Sequence, residues 1–264
     1  MNYTPKLLWQ NSATLSERLQ PLSEGPRFID NLEKFQNGEI ISTTSTVDLR
    51  QWCSPIEDQG HVGSCGGNGA VGALELLQNR LYGSYTDLSR LFVYYNARLM
   101  TGDQAVDSGC YIHVAFETLK NIGTCTENSW PYDVNSVFMR PSWASYGEAY
   151  PNKVESYYRI GGKGSTRTDV IECAISSGYP VVFGMNIDQA YMDYTGGIVP
   201  MYSGKNKGGH CQVIVGYDAT KRLFIVRNSW GTGWGEGGYA LLPYDYLDAA
   251  DAADFCVPTI APKM

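Results

Sequence analysis

Residues 57–68 have the sequence EDQGHVGSCGGN, and the organisation of the chain can be worked out from this segment. Cys65 follows a Gly-Ser pair and opens a run with apolar residues at helical spacing, at Ala70, Ala73, Leu74, Leu77 and Leu81. Ser64 is a suitable N-cap and Gly83 a suitable stop signal, so the sequence predicts a helix beginning at Cys65. The free amides and positive dipole end of that helix would favour a thiolate, the nucleophilic form of cysteine.

Two later segments complete a set of motifs. Residues 208–218 are GGHCQVIVGYD, and residues 227–239 are RNSWGTGWGEGGY. With Gln59 and Cys65 they give the order Gln, Cys, His, Asn, which resembles that of the papain-like cysteine peptidases, in a short bacterial-type form. The resemblance covers residues 47–246 approximately and is weakest in the middle.

The resemblance implies an α+β, papain-like fold of two lobes with the active-site cleft between them. The helical lobe would span about residues 47–133, and an antiparallel, β-barrel-like lobe about residues 134–264. Residues 1–46 would form an N-terminal arm or pro-segment-like region, although the usual pro-segment motif is missing. This arm carries too many apolar residues for a solvated tail, so we expect it to pack either over the cleft, as an inhibitor, or on the back of the molecule.

Periodicity and turn residues predict further elements. Helices are expected at residues 88–98, 112–119 and 169–176, and strands at residues 154–160, 181–183, 212–217, 223–227 and 239–242. The charges of the Asp-Ala-rich segment near residue 250 are expected to form solvated surface.

The resemblance also implies roles for individual residues in amide hydrolysis. Cys65 would be the nucleophile and His210 its proton acceptor, which later protonates the leaving amine. Asn228 would orient the imidazole, and Trp230 would shield their hydrogen bond from water. The side chain of Gln59 and the backbone N–H of Cys65 would donate to the oxyanion.

Four further residues are candidates for substrate binding through the same resemblance. Gly109, Gly184 and Gly209 match positions on the walls of the family's second subsite, and Trp234 is also assigned to substrate binding. Because the three glycines have no side chains, we expect a roomy apolar pocket that accepts a bulky residue.

Three residues depart from the family pattern. Val62 stands where many members have a disulfide cysteine, and Gly66 replaces the aromatic residue that usually follows the nucleophile. Cys211 replaces a small apolar residue beside the histidine. Because neighbours on a strand face opposite ways, we expect the Cys211 side chain to point into the core, away from Cys65.

Composition limits the classes of partner and compartment. The chain has 264 residues, 43% of them hydrophobic and 18% charged, and a net charge of −7, which argues against nucleic acid or an anionic membrane as main partner. Peptide or protein substrates are the expected partners. Seven cysteines are compatible with three disulfides or none. Because the N-terminus MNYTPKLLWQ lacks the long apolar core of a secretion signal, we favour free thiols and a cytoplasmic location.

Other functions remain open at this point. A deamidase, an amidase or a peptide ligase could use the same acyl-enzyme, and an inactive binding protein could keep the fold. A zinc site from His210, Cys211 and another thiol is a weaker alternative, because no CxxC or HxxxH spacing supports it. The leading interpretation, a cysteine endopeptidase, implies no metal and no organic cofactor.

Overall fold

The computed structural model of the protein describes Lys6 and residues 44–261. Within these residues short 3₁₀ turns lie at Arg50–Trp52 and Val134–Ser136. The α-helices of the same residues are α1 (Cys65–Tyr82), α2 (Arg90–Thr101), α3 (Ile112–Asn121), α4 (Trp143–Ala149), α5 (Gly164–Ser176), α6 (Gln189–Met192) and α7 (Tyr246–Ala249).

The helix α1 confirms the prediction made from residues 57–68. It begins at Cys65, and Gly83 ends it in the left-handed region at φ 75°. Ser64 occupies the N-cap position but makes no capping hydrogen bond. Its hydroxyl instead contacts the hydroxyl of Tyr132 and accepts from the Asn68 amide at 3.0 Å. The residue that precedes the nucleophile candidate is therefore fixed by side chains rather than by the helix end.

The strands of the described residues form one sheet, and neighbouring strands pair antiparallel throughout it. The strands are β1 (Thr46–Asp48), β2 (Ser156–Ile160), β3 (Val181–Ile187), β4 (Gly208–Asp218), β5 (Leu223–Arg227), β6 (Tyr239–Pro243) and β7 (Ala253–Thr259). Their spatial order is β2-β7-β3-β4-β5-β6, with β1 paired to β4 off this path. The sheet is open and not a closed barrel, so the β-barrel-like expectation is corrected in this detail while the α+β class is confirmed.

The main core lies between α1 and the sheet. A Cβ added to Gly69 of α1 would lie 3.1 Å from Cys211 Sγ and 3.2 Å from a methyl group of Val182. The absence of a side chain at Gly69 thus lets the helix approach strands β3 and β4 closely. Because Cys65 lies one turn before Gly69 and His210 one residue before Cys211, this contact sets the distance between the two candidate residues. The Cys211 side chain is buried in the core as expected, but it lies close enough to Cys65 for the two thiols to interact, so the expectation that it points away from Cys65 is wrong.

Most predicted elements are present, with shifted ends. The helix expected at residues 169–176 begins five residues earlier, and the strand at residues 223–227 has the expected bounds. Helix α4 and strand β7 were not predicted. The expectation of solvated charge near residue 250 is wrong for Asp254, which is buried in β7 and lies 3.1 Å from an Arg159 nitrogen.

The proposed lobe boundaries stay a prediction, although one strand of the sheet lies at the start of the expected helical lobe. Strand β1 pairs with β4, so the first residues of the expected helical lobe belong to the sheet. Of the arm, the structure describes Lys6 and residues 44–46, and the rest of that prediction lies outside the described residues. None of the helices in the described part is long and apolar enough to cross a membrane.

Candidate active site

His210 is held by an amide and an indole ring. Its Nε2 lies 2.7 Å from Oδ1 of Asn228, the residue that follows strand β5. The imidazole stacks on the Trp230 ring with 4.3 Å between centroids and 24° between planes. The same Asn228 oxygen accepts from the backbone N–H of Ser229 at 2.7 Å, which fixes the amide in turn. Among the described residues, Nδ1 of His210 has no hydrogen-bond partner.

Burial controls the protonation of this histidine. The side chain is fully buried, and desolvation lowers the pKa of His210 to about 4, while the hydrogen bond to Asn228 acts in the opposite direction. A buried imidazolium without a nearby anion is therefore unfavourable. A proton arriving at Nδ1 would be stabilised by a thiolate formed at the same moment.

Gln59 is oriented by four contacts with the protein. Its side-chain oxygen accepts from the hydroxyl of Ser229 at 2.7 Å, and its side-chain nitrogen donates to the Val62 carbonyl at 2.9 Å. Its backbone N–H donates to the Ser229 carbonyl at 2.9 Å. The same side-chain nitrogen also donates to the carbonyl oxygen of Lys6 at 3.3 Å. Gln59 is thus a rigid N–H donor that already holds a peptide carbonyl.

Cys65 begins α1 and is buried beside two other thiols. Burial raises the pKa of both Cys110 and Cys211, and the nearby Cys65 raises each further. These two neighbours are therefore unsuited to form thiolates. A Cβ on Gly66 would lie 2.8 Å from Cys110 Sγ, so the thiol of Cys110 occupies the space above this glycine. This explains how the chain accommodates the loss of the usual aromatic residue after the nucleophile.

Tyr132 links the segment before Cys65 to the rest of the site. Its hydroxyl donates to the Gln59 carbonyl at 2.9 Å and contacts the Ser64 hydroxyl. Burial raises the pKa of Tyr132, so the phenol remains a neutral donor. This role was not predicted from the sequence, because Tyr132 is far along the chain from Gln59 and Ser64. The only sequence signal was its place in a Trp-Pro-Tyr segment.

Ser229 and Glu75 were also missed. Ser229 contacts both Asn228 and Gln59, and its position inside the motif at residues 227–239 was the available signal. Glu75 is a buried carboxyl on α1 that accepts from the Ser54 hydroxyl at 2.5 Å and the Leu88 N–H at 2.9 Å. Its signal was a single charge on an otherwise apolar helix face. Burial raises the pKa of Glu75 to about 7.

The candidate substrate-binding residues lie on strands β3 and β4 and in two loops. Gly109, at φ 80°, donates its N–H to the Tyr94 hydroxyl at 3.0 Å. Gly184 of β3 and Gly209 of β4 lie on paired strands, two residues out of register with each other. Trp234 is buried, and its indole N–H donates to the Tyr191 carbonyl at 3.2 Å. Trp234 packs perpendicular to Trp230, at 5.4 Å, and so forms part of the aromatic support of His210.

No group of three or more metal-ligating side chains occurs among the described residues. The zinc alternative thus gains no support from the geometry. A thiol on a helix packed against the strand of an amide-oriented histidine is instead the arrangement used by thiol-dependent acyl-transfer enzymes.

Comparison with known proteins assigns the family. The model of the papain family cysteine proteases matches residues 43–253, so the chain belongs to that family and is a cysteine endopeptidase. An uncharacterised peptidase C1-like protein of Acanthamoeba polyphaga mimivirus is 36% identical over 229 residues, which are 83% of this chain and 73% of the viral protein. Cysteine proteinase 1 of Entamoeba histolytica is 29% identical over 85% of this chain and 72% of its own length.

A solved structure supports the same assignment. Xylellain, a cysteine protease from Xylella fastidiosa, superposes with a TM-score of 0.76 at 27% sequence identity, over 98% of this chain and 95% of xylellain. The papain-like fold expected from the sequence is therefore confirmed, and peptides or proteins are the substrates of the chain.

Proposed function

We propose that Cys65, His210, Asn228 and Gln59 hydrolyse peptide bonds through a thioester intermediate. The Cys65 thiol transfers its proton to Nδ1 of His210 as its sulfur bonds to the scissile carbonyl carbon. The carbon–nitrogen bond then breaks, and His210 gives the proton to the leaving amine. Water attacks the thioester with His210 as base, the carbon–sulfur bond breaks, and the proton returns to sulfur.

The orientation of His210 carries this proposal. The 2.7 Å contact with Asn228 occupies Nε2 of His210, so Nδ1 is the ring nitrogen that accepts the thiol proton. Stacking on Trp230 at 4.3 Å restricts rotation of the ring. Because burial disfavours an isolated imidazolium, thiolate and imidazolium would form together as a pair.

Gln59 would stabilise the negative oxygen of each tetrahedral intermediate. Ser229 and Val62 hold its amide in one orientation, so little reorganisation is needed when charge develops. The hydrogen bond from Gln59 to the Lys6 carbonyl supports this role, because a peptide carbonyl already accepts from that N–H.

Labelling by an epoxysuccinyl inhibitor tests the nucleophile. We expect one equivalent to react with the full-length chain at Cys65, and none with Cys65→Ala. The half-buried Cys53 provides the matched control, since Cys53→Ala removes a thiol on another segment and should label normally. Stoichiometric labelling of Cys65→Ala, or peptide cleavage by it, would contradict the proposal.

The second subsite is proposed to be an apolar pocket with walls at Gly109, Gly184 and Gly209. Substrates with Phe or Leu one residue before the residue that supplies the scissile carbonyl should be cleaved best, with discrimination of about 1–3 kcal/mol per methylene at most. A peptide library with that position varied measures it. A strict requirement for Arg or Lys there would refute the assignment.

We further propose that the N-terminal arm inhibits the enzyme. The supporting observation is Lys6, whose carbonyl accepts from Gln59 at 3.3 Å and whose ammonium group lies 2.6 Å from an Asp107 oxygen. A substrate carbonyl would need the same Gln59 donor, so Lys6 and a substrate compete.

Two comparisons test this inhibition through the rate of Cys65 labelling. A chain starting at Thr46 should label faster than the full-length chain, and so should full-length Lys6→Glu, because like charges beside Asp107 repel. Lys205→Glu, the same charge change on an exposed loop, should label at the original rate. Equal rates in all four proteins would remove the inhibitory role.

A reducing, cytoplasmic compartment is part of the proposal. All seven cysteines lie in the described part of the chain and none of them forms a disulfide there, which supports the choice. Trapping of thiols in freshly lysed source cells, followed by intact-mass measurement, should find seven alkylated cysteines. A mass that reveals disulfides would contradict this location.

A further inference from the structure

The carboxyl group of Asp107 lies close to Gln59 but has no part in the proposed mechanism. It belongs to the loop between α2 and α3, and its side chain is 13% exposed. Its Oδ1 accepts from the Gly63 N–H at 3.0 Å and from the Tyr94 hydroxyl at 2.5 Å. Tyr94 in turn accepts from the Gly109 N–H at 3.0 Å. These contacts hold the carboxyl group in one orientation.

The second oxygen of Asp107 meets a cation. Its Oδ2 has a longer contact with the Gly63 N–H, at 3.3 Å, and lies 2.6 Å from the ammonium nitrogen of Lys6. The same ammonium group donates to the Asp107 backbone carbonyl at 2.9 Å. Asp107 thus presents two oxygen acceptors to one basic side chain.

Lys6 contacts both Asp107 and the oxyanion donor Gln59. Its own carbonyl accepts from Gln59, while its side chain ends on Asp107. In acyl transfer, the carbonyl that reaches the oxyanion donor is the scissile carbonyl. Lys6 shows that a residue whose carbonyl accepts from Gln59 can place a basic side chain on Asp107, so a substrate Lys or Arg has the length that this contact needs.

We propose that Asp107 is a specificity-determining residue that selects Lys or Arg as the substrate residue supplying the scissile carbonyl. The inference rests on the proposed function, because it requires Gln59 to bind that carbonyl. A hydrogen bond to a charged partner in a mostly buried position favours the basic side chain by about ten- to a hundredfold over a neutral one. A glutamate at that position would be repelled.

The alternative is a purely structural role, in which Asp107 balances the charge of a buried arginine. Arg98 is fully buried and packs 4.0 Å from the centroid of the Tyr94 ring, so the carboxylate could serve as its distant counter-charge. However, the Arg98 guanidinium donates to backbone carbonyls, at Gln104, Val106 and Val137. An asparagine at position 107 could still accept from Gly63 and Tyr94, so the loop itself does not demand a negative charge.

The test is a competition between two peptide substrates in one vessel, cleaved by the full-length chain. The peptides share Phe before the varied residue and carry either Lys or norleucine, which has a similar length and no charge. The ratio of the two cleavage rates gives the ratio of kcat/KM. Occupancy by the N-terminal arm cancels, because both substrates meet the same fraction of open enzyme.

We expect the wild-type ratio of Lys to norleucine to be about ten to a hundred and the Asp107→Asn ratio to be close to one. Asp107→Glu should restore part of the preference. Asp103→Asn removes the same charge from the same loop and is the matched control, with a wild-type ratio expected.

Three results would overturn the inference. They are a wild-type ratio near one, an unchanged ratio in Asp107→Asn, and an equal fall in the ratio for Asp103→Asn. The first result with normal labelling of Cys65 would leave the proposed function intact. Absence of both cleavage and labelling would reject the proposed function itself, and the inference with it.

Discussion

Hydrogen bonds fix the thiol side of the site, whereas the histidine side combines one hydrogen bond, from His210 to Asn228, with aromatic packing. On the thiol side, formed by residues 57–68 with Tyr132, the side chains of Gln59 and Ser64 each contact two or more polar partners. On the histidine side, His210 lies against Trp230, which packs on Trp234. The side-chain N–H of Gln59 must point at one oxygen atom, and hydrogen bonds fix its direction because they are directional. The imidazole needs a dry, rigid surround, and aromatic rings provide it.

Trp230→Ala should give the largest loss of stability and tests the histidine side. Removing this buried indole is expected to lower the free energy of unfolding by about 3–5 kcal/mol, because a large cavity forms beside His210. Urea denaturation measures it. The control is Trp143→Ala, which alters a 77% exposed indole and should change stability by about 0.5 kcal/mol or less. Equal losses in both variants would contradict the packing argument.

Gln59→Ala tests the thiol side and should act on rate more than on binding. The negative oxygen that it meets exists only in the transition state, so kcat should fall by about 10²–10³ with little change in KM. Steady-state kinetics on a peptide substrate measures both constants. Gln51→Ala, at an exposed position near the same segment, should leave both unchanged. A raised KM with normal kcat in Gln59→Ala would mean that Gln59 only binds substrate.

Glu75→Gln tests how the stability of helix α1, which begins at Cys65, depends on pH. The pKa of Glu75 is raised to about 7 from its ordinary 4.5, so its contribution to stability is fully present below pH 4.5 and is lost as pH rises through 7. Between pH 4.5 and 8 the wild-type chain should lose roughly 3 kcal/mol relative to Glu75→Gln.

Denaturation of both chains across that pH range measures the difference. Glutamine can keep the contacts to Ser54 and Leu88, so packing is preserved. Glu155→Gln, an exposed change, should follow the wild-type curve. Parallel curves for wild type and Glu75→Gln would show that the buried carboxyl does not titrate in this range.

Much of the fold and site could be predicted from sequence because the motifs are dense. The helix at Cys65 follows from the N-cap, apolar spacing and stop signal of residues 64–83, and the strands around His210 follow from apolar runs with glycine joints. The roles assigned to Cys65, His210, Asn228 and Gln59 stay predictions until the variants are measured.

The remainder depends on contacts between distant residues. Strand β7 follows an Asp-Ala-rich segment and contains Pro258, both of which argue against a strand with neighbours on two sides. The structure accommodates Pro258 because the pairing of β7 with β3 covers only Ala253 and Cys256, so the proline needs no second partner strand. Asp107 is likewise an ordinary loop carboxyl in sequence, and only folding brings it beside Gly63 and Tyr94.

A double-mutant cycle on Cys65 and His210 tests the central claim most directly. If thiol and imidazole act as one unit across the two sides, Cys65→Ala and His210→Ala should each lower kcat/KM for peptide cleavage by roughly 10⁴-fold or more, and the double variant should be no worse than either. Effects that add in free energy, or substantial cleavage by Cys65→Ala, would contradict the account.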